Sequence, residues 1–155
     1  MATIQDLFDV TGKVAVVTGG SRGIGFMIAE TLVDNGVRVY ITARKAAACD
    51  SAAEALAQRG ECVSIPADLS DTNEVARFAA AIGEREERVD ILVNNAGATW
   101  GAPIDEFPES GFDKVMDVNV KAPFFLTQAL LPRLRASGTA DDPARVIMIL
   151  SLIHI

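Results

Sequence analysis

Short apolar runs and helical-period stretches take turns along this chain. Lys13-Val14-Ala15-Val16-Val17 is mostly β-branched and is closed by Thr18-Gly19-Gly20, which predicts a strand buried on both faces. Ile24, Met27, Ile28 and Leu32 follow at helical spacing, with Asn35-Gly36 as the stop signal. Val37 to Thr42 predicts a second strand, Ala46 to Arg59 an alanine-rich helix ending at Gly60, and Cys62 to Ile65 a third strand. Val75, Phe78, Ala79 and Ile82 mark the next helix, capped by Gly83, and Val89 to Val93 a fourth strand. Phe112 to Leu134 reads as a long helix, and Arg145 to Ile149 begins a fifth strand after the polar loop Ala136 to Pro143. Strands joined through helices need right-handed crossovers, which make a parallel sheet covered on both faces. The pattern therefore predicts an α/β fold in one domain, without internal repeat or linker.

Composition narrows the function classes. The 155 residues are 50% hydrophobic and 23% charged, which excludes disorder by low hydrophobicity. No apolar run approaches the roughly 20 residues of a membrane span. Met1 to Asp6 has no basic lead into an apolar stretch, so no secretory signal is read and a cytoplasmic location is expected. The net charge of −7, without a basic cluster, disfavours nucleic acid as a partner. Cys49 and Cys62 fall in different predicted elements and form no metal or redox motif, so both are expected to be ordinary thiols and no metal site is expected.

Thr18-Gly19-Gly20-Ser21-Arg22-Gly23-Ile24-Gly25 joins the first strand to the first helix. Glycine there lets backbone approach a diphosphate and adopt positive φ, and the free N–H groups of the helix start face the anion. A glycine pattern placed between strand and helix is a far stronger dinucleotide signal than one met alone. The spacing is T-G-x-x-x-G-x-G rather than G-x-G-x-x-G. Asn94-Asn95-Ala96-Gly97 follows the fourth strand, Asp68-Leu69 follows the third, and Asn119 lies in Val118-Asn119-Val120. With these four motifs, from Leu7 to Ile149, the chain resembles the short-chain dehydrogenase/reductase family. The resemblance implies a Rossmann-type doubly wound parallel sheet, here its first five strands in order 3-2-1-4-5. It implies cofactor contacts at Gly19, Ser21, Arg22, Gly23, Ile24, Gly25, Asp68, Leu69, Asn95, Ala96 and Gly97, and a catalytic role for Asn119.

NAD-preferring relatives carry an acid at the end of the second strand, where it binds the ribose 2′-hydroxyl. Here Ala43 stands at that position, followed by Arg44, and Arg22 lies in the phosphate turn. Two guanidinium groups suit a 2′-phosphate, so NADP(H) is expected over NAD(H). Pro123 interrupts the long helix and removes the donor that Asn119's carbonyl would use, in the region where the family's asparagine holds a relay water. Trp100 and Phe107 lie beyond the fourth strand, where they line either an acyl-chain cleft or a subunit interface.

The family's Tyr-x-x-x-Lys is absent: Tyr40 is the one tyrosine, and Arg44 stands four residues on. Leu150-Ser151-Leu152-Ile153-His154-Ile155, read as codons, matches the transposon end used in sequencing libraries. The expectation is that residues 1–149 are the N-terminal part of an NAD(P)-binding domain and 150–155 an adapter-derived tail. Ser151 then matches the family's catalytic serine by position only, and His154 is an artefact. Apolar surface exposed at the fifth strand's edge is expected to promote aggregation. Asn94 to Ala102 and the run from Asp90 to Asn119 are similar to 3-oxoacyl-acyl-carrier-protein reductases of the rhamnolipid-pathway kind. The function expected is NADP(H)-dependent reduction of a carbonyl, with a small-molecule or acyl-carrier substrate, a parent homotetramer, and no turnover by the chain as it stands. The alternative is a non-catalytic NADP(H)-binding module.

Overall fold

The computed structural model describes residues 8–149. Its strands are β1 (Val14–Thr18), β2 (Arg38–Thr42), β3 (Cys62–Ser64), β4 (Ile91–Asn94) and β5 (Arg145–Met148). They form one sheet in the order β3-β2-β1-β4-β5, with parallel pairing throughout. This is the order expected from the family resemblance. The helices are α1 (Gly23–Asp34), α2 (Ala46–Ala57), α3 (Thr72–Gly83), α4 (Glu109–Met116) and α5 (Ala122–Ser137).

Register brings the chemistry to one edge. Thr18 pairs with Thr42 and Asn94 with Met148, so the carboxyl ends of β1, β2, β4 and β5 emerge together. Alternation along each strand feeds two cores. Val14, Val16, Tyr40 and Leu92 face α3 and α5, through Val75, Phe78, Ala79 and Ile82 and through Leu126, Leu130 and Leu134. Ala15, Val17, Val39, Ile41 and Val93 face α1 and α2. Phe78 is fully buried, and emptying its site by Phe78→Ala costs about 3–5 kcal/mol.

Helix α1 buries only part of the face its large residues suggest: Ile28 and Leu32 pack partly buried against the core, as expected. Ile24 and Met27 are each 62% exposed, while Gly25, Ala29 and Val33 are buried. Small residues win because the helix lies too close to the β1 turn for anything larger: a Cβ on Gly25 would sit 2.2 Å from Gly19 O. Gly83 also differs from its expected role as a cap. It is the last residue of α3, and a Cβ there would meet the Arg133 guanidinium at 2.1 Å. Arg133 reaches across from α5 and donates to Gly83 O (2.9 Å) and Glu86 O (3.1 Å), satisfying carbonyls at the end of α3.

The long helix expected from Phe112 to Leu134 is present, but it is not one α-helix. Between α4 and α5, Asp117–Lys121 forms a π turn, and Ala122 N–H reaches back five residues to Asp117 O. Pro123 lies in the first turn of α5, where its missing N–H is best tolerated. Pro132 lies inside α5, which continues past it with Leu130 and Leu134 buried on either side.

At the opposite, amino-terminal edge, Tyr40 Oη donates to the buried Glu86 carboxylate (2.7 Å), which also accepts from Arg38 (3.1 Å). Val146, Ile147 and Met148 of β5, the outermost strand on its side of the sheet, are exposed, as expected for the fifth strand.

Candidate functional site

The turn after β1 is built around the hydroxyl of Thr18. Its Oγ1 accepts from Asn95 N–H and Ala96 N–H, both at 2.9 Å, and donates to Val93 O at 3.4 Å. Asn95 Nδ2 donates to Thr18 O at 2.9 Å. Gly19 N–H and Gly20 N–H both donate to Thr42 O, at 2.9 and 3.2 Å. The ends of β1, β2 and β4 are thereby fastened to one another. Gly19 has φ 68° and Gly23 φ 55°, conformations that cost an L side chain strain. A Cβ on Gly20 would lie 2.6 Å from Ile41 Cγ2. This turn presents backbone, with the half-buried Ser21 and the exposed Arg22 as its side chains.

Helix α1 begins without a side-chain cap. Arg22 occupies the N-cap position in extended geometry, and the first turn holds no acid. The first helical bond runs from Phe26 N–H to Arg22 O, so the N–H groups of Gly23, Ile24 and Gly25 precede the helical ladder. Their partial positive charge and the adjacent guanidinium favour an anion there.

Arg44 and Lys45 follow β2, and both are exposed. Among the described residues, neither they nor Arg22 have a carboxylate within ion-pair distance. Arg38, Arg59, Arg77 and Arg145 all do. Ala67 N–H donates to Ala43 O (3.2 Å), so the chain after β3 runs on beside β2 and sets Asp68 and Arg44 as the next residues along. Asp68 Oδ1 accepts from Ser70 N–H (3.0 Å) and Ser70 Oγ (2.8 Å), which orients the carboxylate. Leu69 has its side chain in the core, leaving only backbone for a ligand. Ala43, at the position of the missing acid, packs against the core beneath α1 and α2.

Asn119 lies in the π turn and holds the segment that leaves β4. Its Oδ1 accepts from Ala98 N–H (2.8 Å) and its Nδ2 donates to Ala98 O (3.0 Å). Two residues on, the Trp100 ring lies against Gly111, and Lys114 Nζ sits 5.1 Å from the ring centroid. Phe107 is half-buried. The family's serine position, Ser151, and the tail 150–155 with His154 lie outside the described residues. Tyr40 is remote from this edge, with its hydroxyl committed to Glu86.

Several residues that build the edge were not singled out by sequence. Thr18 stood inside the glycine motif, yet nothing in the pattern tells a linking hydroxyl from a strand residue. Thr42 Oγ1 is buried without a hydrogen-bond partner, a cost of about 1–3 kcal/mol that no local pattern announces. Lys45 and Gly111 carried no motif.

A cavity of about 470 Å³ opens at the amino-terminal edge, among Lys13, Arg38, Arg59, Glu86 and Arg88. Lys13, Arg38 and Arg59 are already engaged there by Asp142, by Glu61 and Glu86, and by Glu30 and Asp34. It lies away from the glycine turn, and the ligand chemistry of the carboxyl edge does not extend to it. Cys49 and Cys62 are free thiols, and burial pushes both up to about 11. Among the described residues no helix is long and apolar enough to cross a membrane.

A family model described as short chain dehydrogenase matches residues 13–154. The chain belongs to the short-chain dehydrogenase/reductase family. The rhamnolipids biosynthesis 3-oxoacyl-acyl-carrier-protein reductase of Pseudomonas aeruginosa is 53% identical over 142 residues, which are 92% of this chain and 56% of that protein. The solved Pseudomonas aeruginosa RhlG/NADP active-site complex matches with a TM-score of 0.89 at 53% identity, over 93% of this chain and 56% of that one. A metagenomic short-chain oxidoreductase in complex with NADP matches with a TM-score of 0.84 at 38% identity, over 93% and 64%. The chain thus spans little more than half the length of the first relatives it matches. Thr18 joins the glycine turn to the Asn94-Asn95-Ala96-Gly97 segment at the carboxyl edge.

Proposed function

We propose that this chain is the cofactor-binding portion of an NADP(H)-dependent reductase of 3-oxoacyl substrates. The observation that carries the reading is the juxtaposition of an uncapped, glycine-lined helix start with three cations, Arg22, Arg44 and Lys45, that have no acid partner among the described residues. Six of the other arginines lie within ion-pair distance of a carboxylate and Arg133 is spent on backbone carbonyls, so three unpaired cations together at this edge fit a ligand that brings its own negative charge. The NADP complexes of the similar structures and the name of the Pseudomonas relative support the choice of cofactor and substrate class.

On this reading residues 1–149 are the N-terminal part of the NADP-binding domain. Backbone at Gly19, Ser21, Gly23, Ile24 and Gly25 would hold the diphosphate, and Arg22 with Arg44 the 2′-phosphate. Asp68 and the backbone of Leu69 would meet the adenine. Asn95, Ala96 and Gly97 would flank the ribose, and Asn119 is the catalytic-relay residue on the protein side. The nicotinamide supplies the hydride when bound. A proton must also reach the carbonyl oxygen, and the one tyrosine among the 155 residues is turned to Glu86 at the far edge. That observation favours a second reading for the chain by itself, NADP(H) binding without turnover.

Phe112, Met116, Val120 and Phe124 recur at four-residue spacing and are all exposed. A four-residue repeat drifts around an α-helix, but the extra residue in the π turn lets about twelve residues make three turns, so the stripe stays on one face. We propose this face for self-association in the parent enzyme, an assembly that sedimentation would register as a multiple of the monomer mass.

Isothermal titration with NADP+ and NAD+, alongside an NADPH-oxidation assay with a 3-oxoacyl thioester, tests the functional reading. Tighter binding of NADP+ without turnover is the expected result. Binding of neither nucleotide, or a preference for NAD+, would overturn it.

A further inference from the structure

We propose that Trp100, seated on Gly111 and covered by Lys114, forms the apolar wall that takes the acyl chain of the substrate, and that Gly111 sets how deep this wall lies. The proposal rests on the reductase reading above and names the substrate-side residues for it.

Three observations converge on Trp100. A Cβ on Gly111 would lie 2.6–2.7 Å from Trp100 Cδ1, Cγ and Nε1, so the five-membered part of the indole lies directly on the glycine. Any side chain at 111 would lift the ring. Lys114, one helical turn on, holds its ammonium 5.1 Å from the ring centroid and has no carboxylate within ion-pair distance among the described residues. Cation–π attraction and the lysine stem therefore keep the ring down. Asn119 fixes Ala98, two residues before Trp100, by a pair of hydrogen bonds. The backbone leading to the ring is thus tied to the residue that carries the family's catalytic role by resemblance.

Held in this way, Trp100 still leaves 39% of its surface exposed. A large aromatic immobilised at the carboxyl edge of a parallel sheet, and not fully covered, suits a ligand wall. It does not belong to the exposed stripe on α4 and α5. Gly111 and Asn119 each precede a stripe residue by one position, and Lys114 lies two positions from both Phe112 and Met116, which turns all three roughly 100° or more away around the helix. Asp105, Glu106, Glu109, Asp113 and Asp117 make the surrounding chain acidic, so the occupant is the uncharged hydrocarbon part of a substrate, not a phosphate or a carboxylate.

Trp100 is the only tryptophan, so its fluorescence reports on this site alone. The experiment saturates the 155-residue chain with NADP+ and titrates it with N-acetylcysteamine thioesters of 3-oxo acids, from four to ten carbons. A saturable blue shift that strengthens with chain length is expected. Gly111→Val should weaken the response about ten-fold, and Lys114→Ala, an exposed change that leaves the fold intact, should weaken it less. If NADP+ binds by titration calorimetry and no thioester moves the spectrum, the acyl wall is refuted while the cofactor reading stands. If the spectrum shifts with protein concentration alone, Trp100 is an interface residue and the proposal is overturned. Failure of NADP+ to bind removes the reading beneath it.

Discussion

Asn119 and Ala98 face each other as two strands would: the side-chain amide of one makes both hydrogen bonds to the backbone of the other, at 2.8 and 3.0 Å. Asn119→Ala leaves both groups of Ala98 without this partner and is expected to lower the unfolding free energy by about 1–3 kcal/mol, read from urea denaturation. Asn119→Asp should not rescue it, because an oxygen then faces the Ala98 carbonyl. Unchanged stability in both variants would show that water replaces the amide.

Gly25→Ala forces a methyl group onto the Gly19 carbonyl, 2.2 Å from the position its Cβ would take. The contact is with backbone, so relief requires α1 to move from the sheet. A loss of about 1–3 kcal/mol in stability is expected, with a loss of NADP+ affinity at least as large. A variant that binds NADP+ as tightly as the parent chain would place the nucleotide elsewhere.

Arg44→Ala should weaken NADP+ about ten-fold or more and leave NAD+ unchanged, since only the former has a 2′-phosphate to lose a charge-assisted contact. Arg22→Ala should act in the same direction. Equal effects on both nucleotides would mean that the guanidinium groups serve the diphosphate instead.

Tyr40 shares the alkaline pH dependence with the buried thiols of Cys49 and Cys62 and extends it to higher pH. Burial first, and then the hydrogen bond and charge of Glu86, push its hydroxyl up to about 12 from the usual 10. The folded chain holds this proton more tightly than the unfolded one. The associated stability is complete below pH 10 and is lost as pH rises towards 12. The urea midpoint of the parent chain should fall across that window. In Tyr40→Phe it should start lower and fall less steeply, and parallel curves would exclude Tyr40 as the source.

The order of the sheet followed from the family resemblance, and the α3 face was legible in the spacing of its residues. Val75, Phe78, Ala79 and Ile82 are all buried, because large apolar residues at helical spacing had only one face to offer. The same rule held only in part at α1, where Ile28 and Leu32 pack against the core beside the buried Gly25 and Ala29, while Ile24 and Met27 face outward. Periodicity weighs residues by hydrophobicity, whereas a helix pressed against a tight turn is selected by size. At the candidate site the glycines, Arg44 and Asn119 could be located because their motifs are local. The links between motifs were not legible. Thr18 to Asn95 spans 77 residues and Arg133 to Gly83 spans 50, and each depends on a register that only the folded sheet and helices define.

The π turn at Asp117–Lys121 makes this helix tolerant of one particular change in length. Removing a residue from an ordinary helix swings everything downstream by about 100°. Here the helix already carries one residue more than its α register requires. Deleting the exposed Val120 would let the backbone close up into regular winding, with Leu126, Leu130 and Leu134 still pointing at the sheet. The chain would keep its core contacts and lose only the bulge that carries Asn119 and its two bonds to Ala98, so that a change of length is absorbed at a single turn.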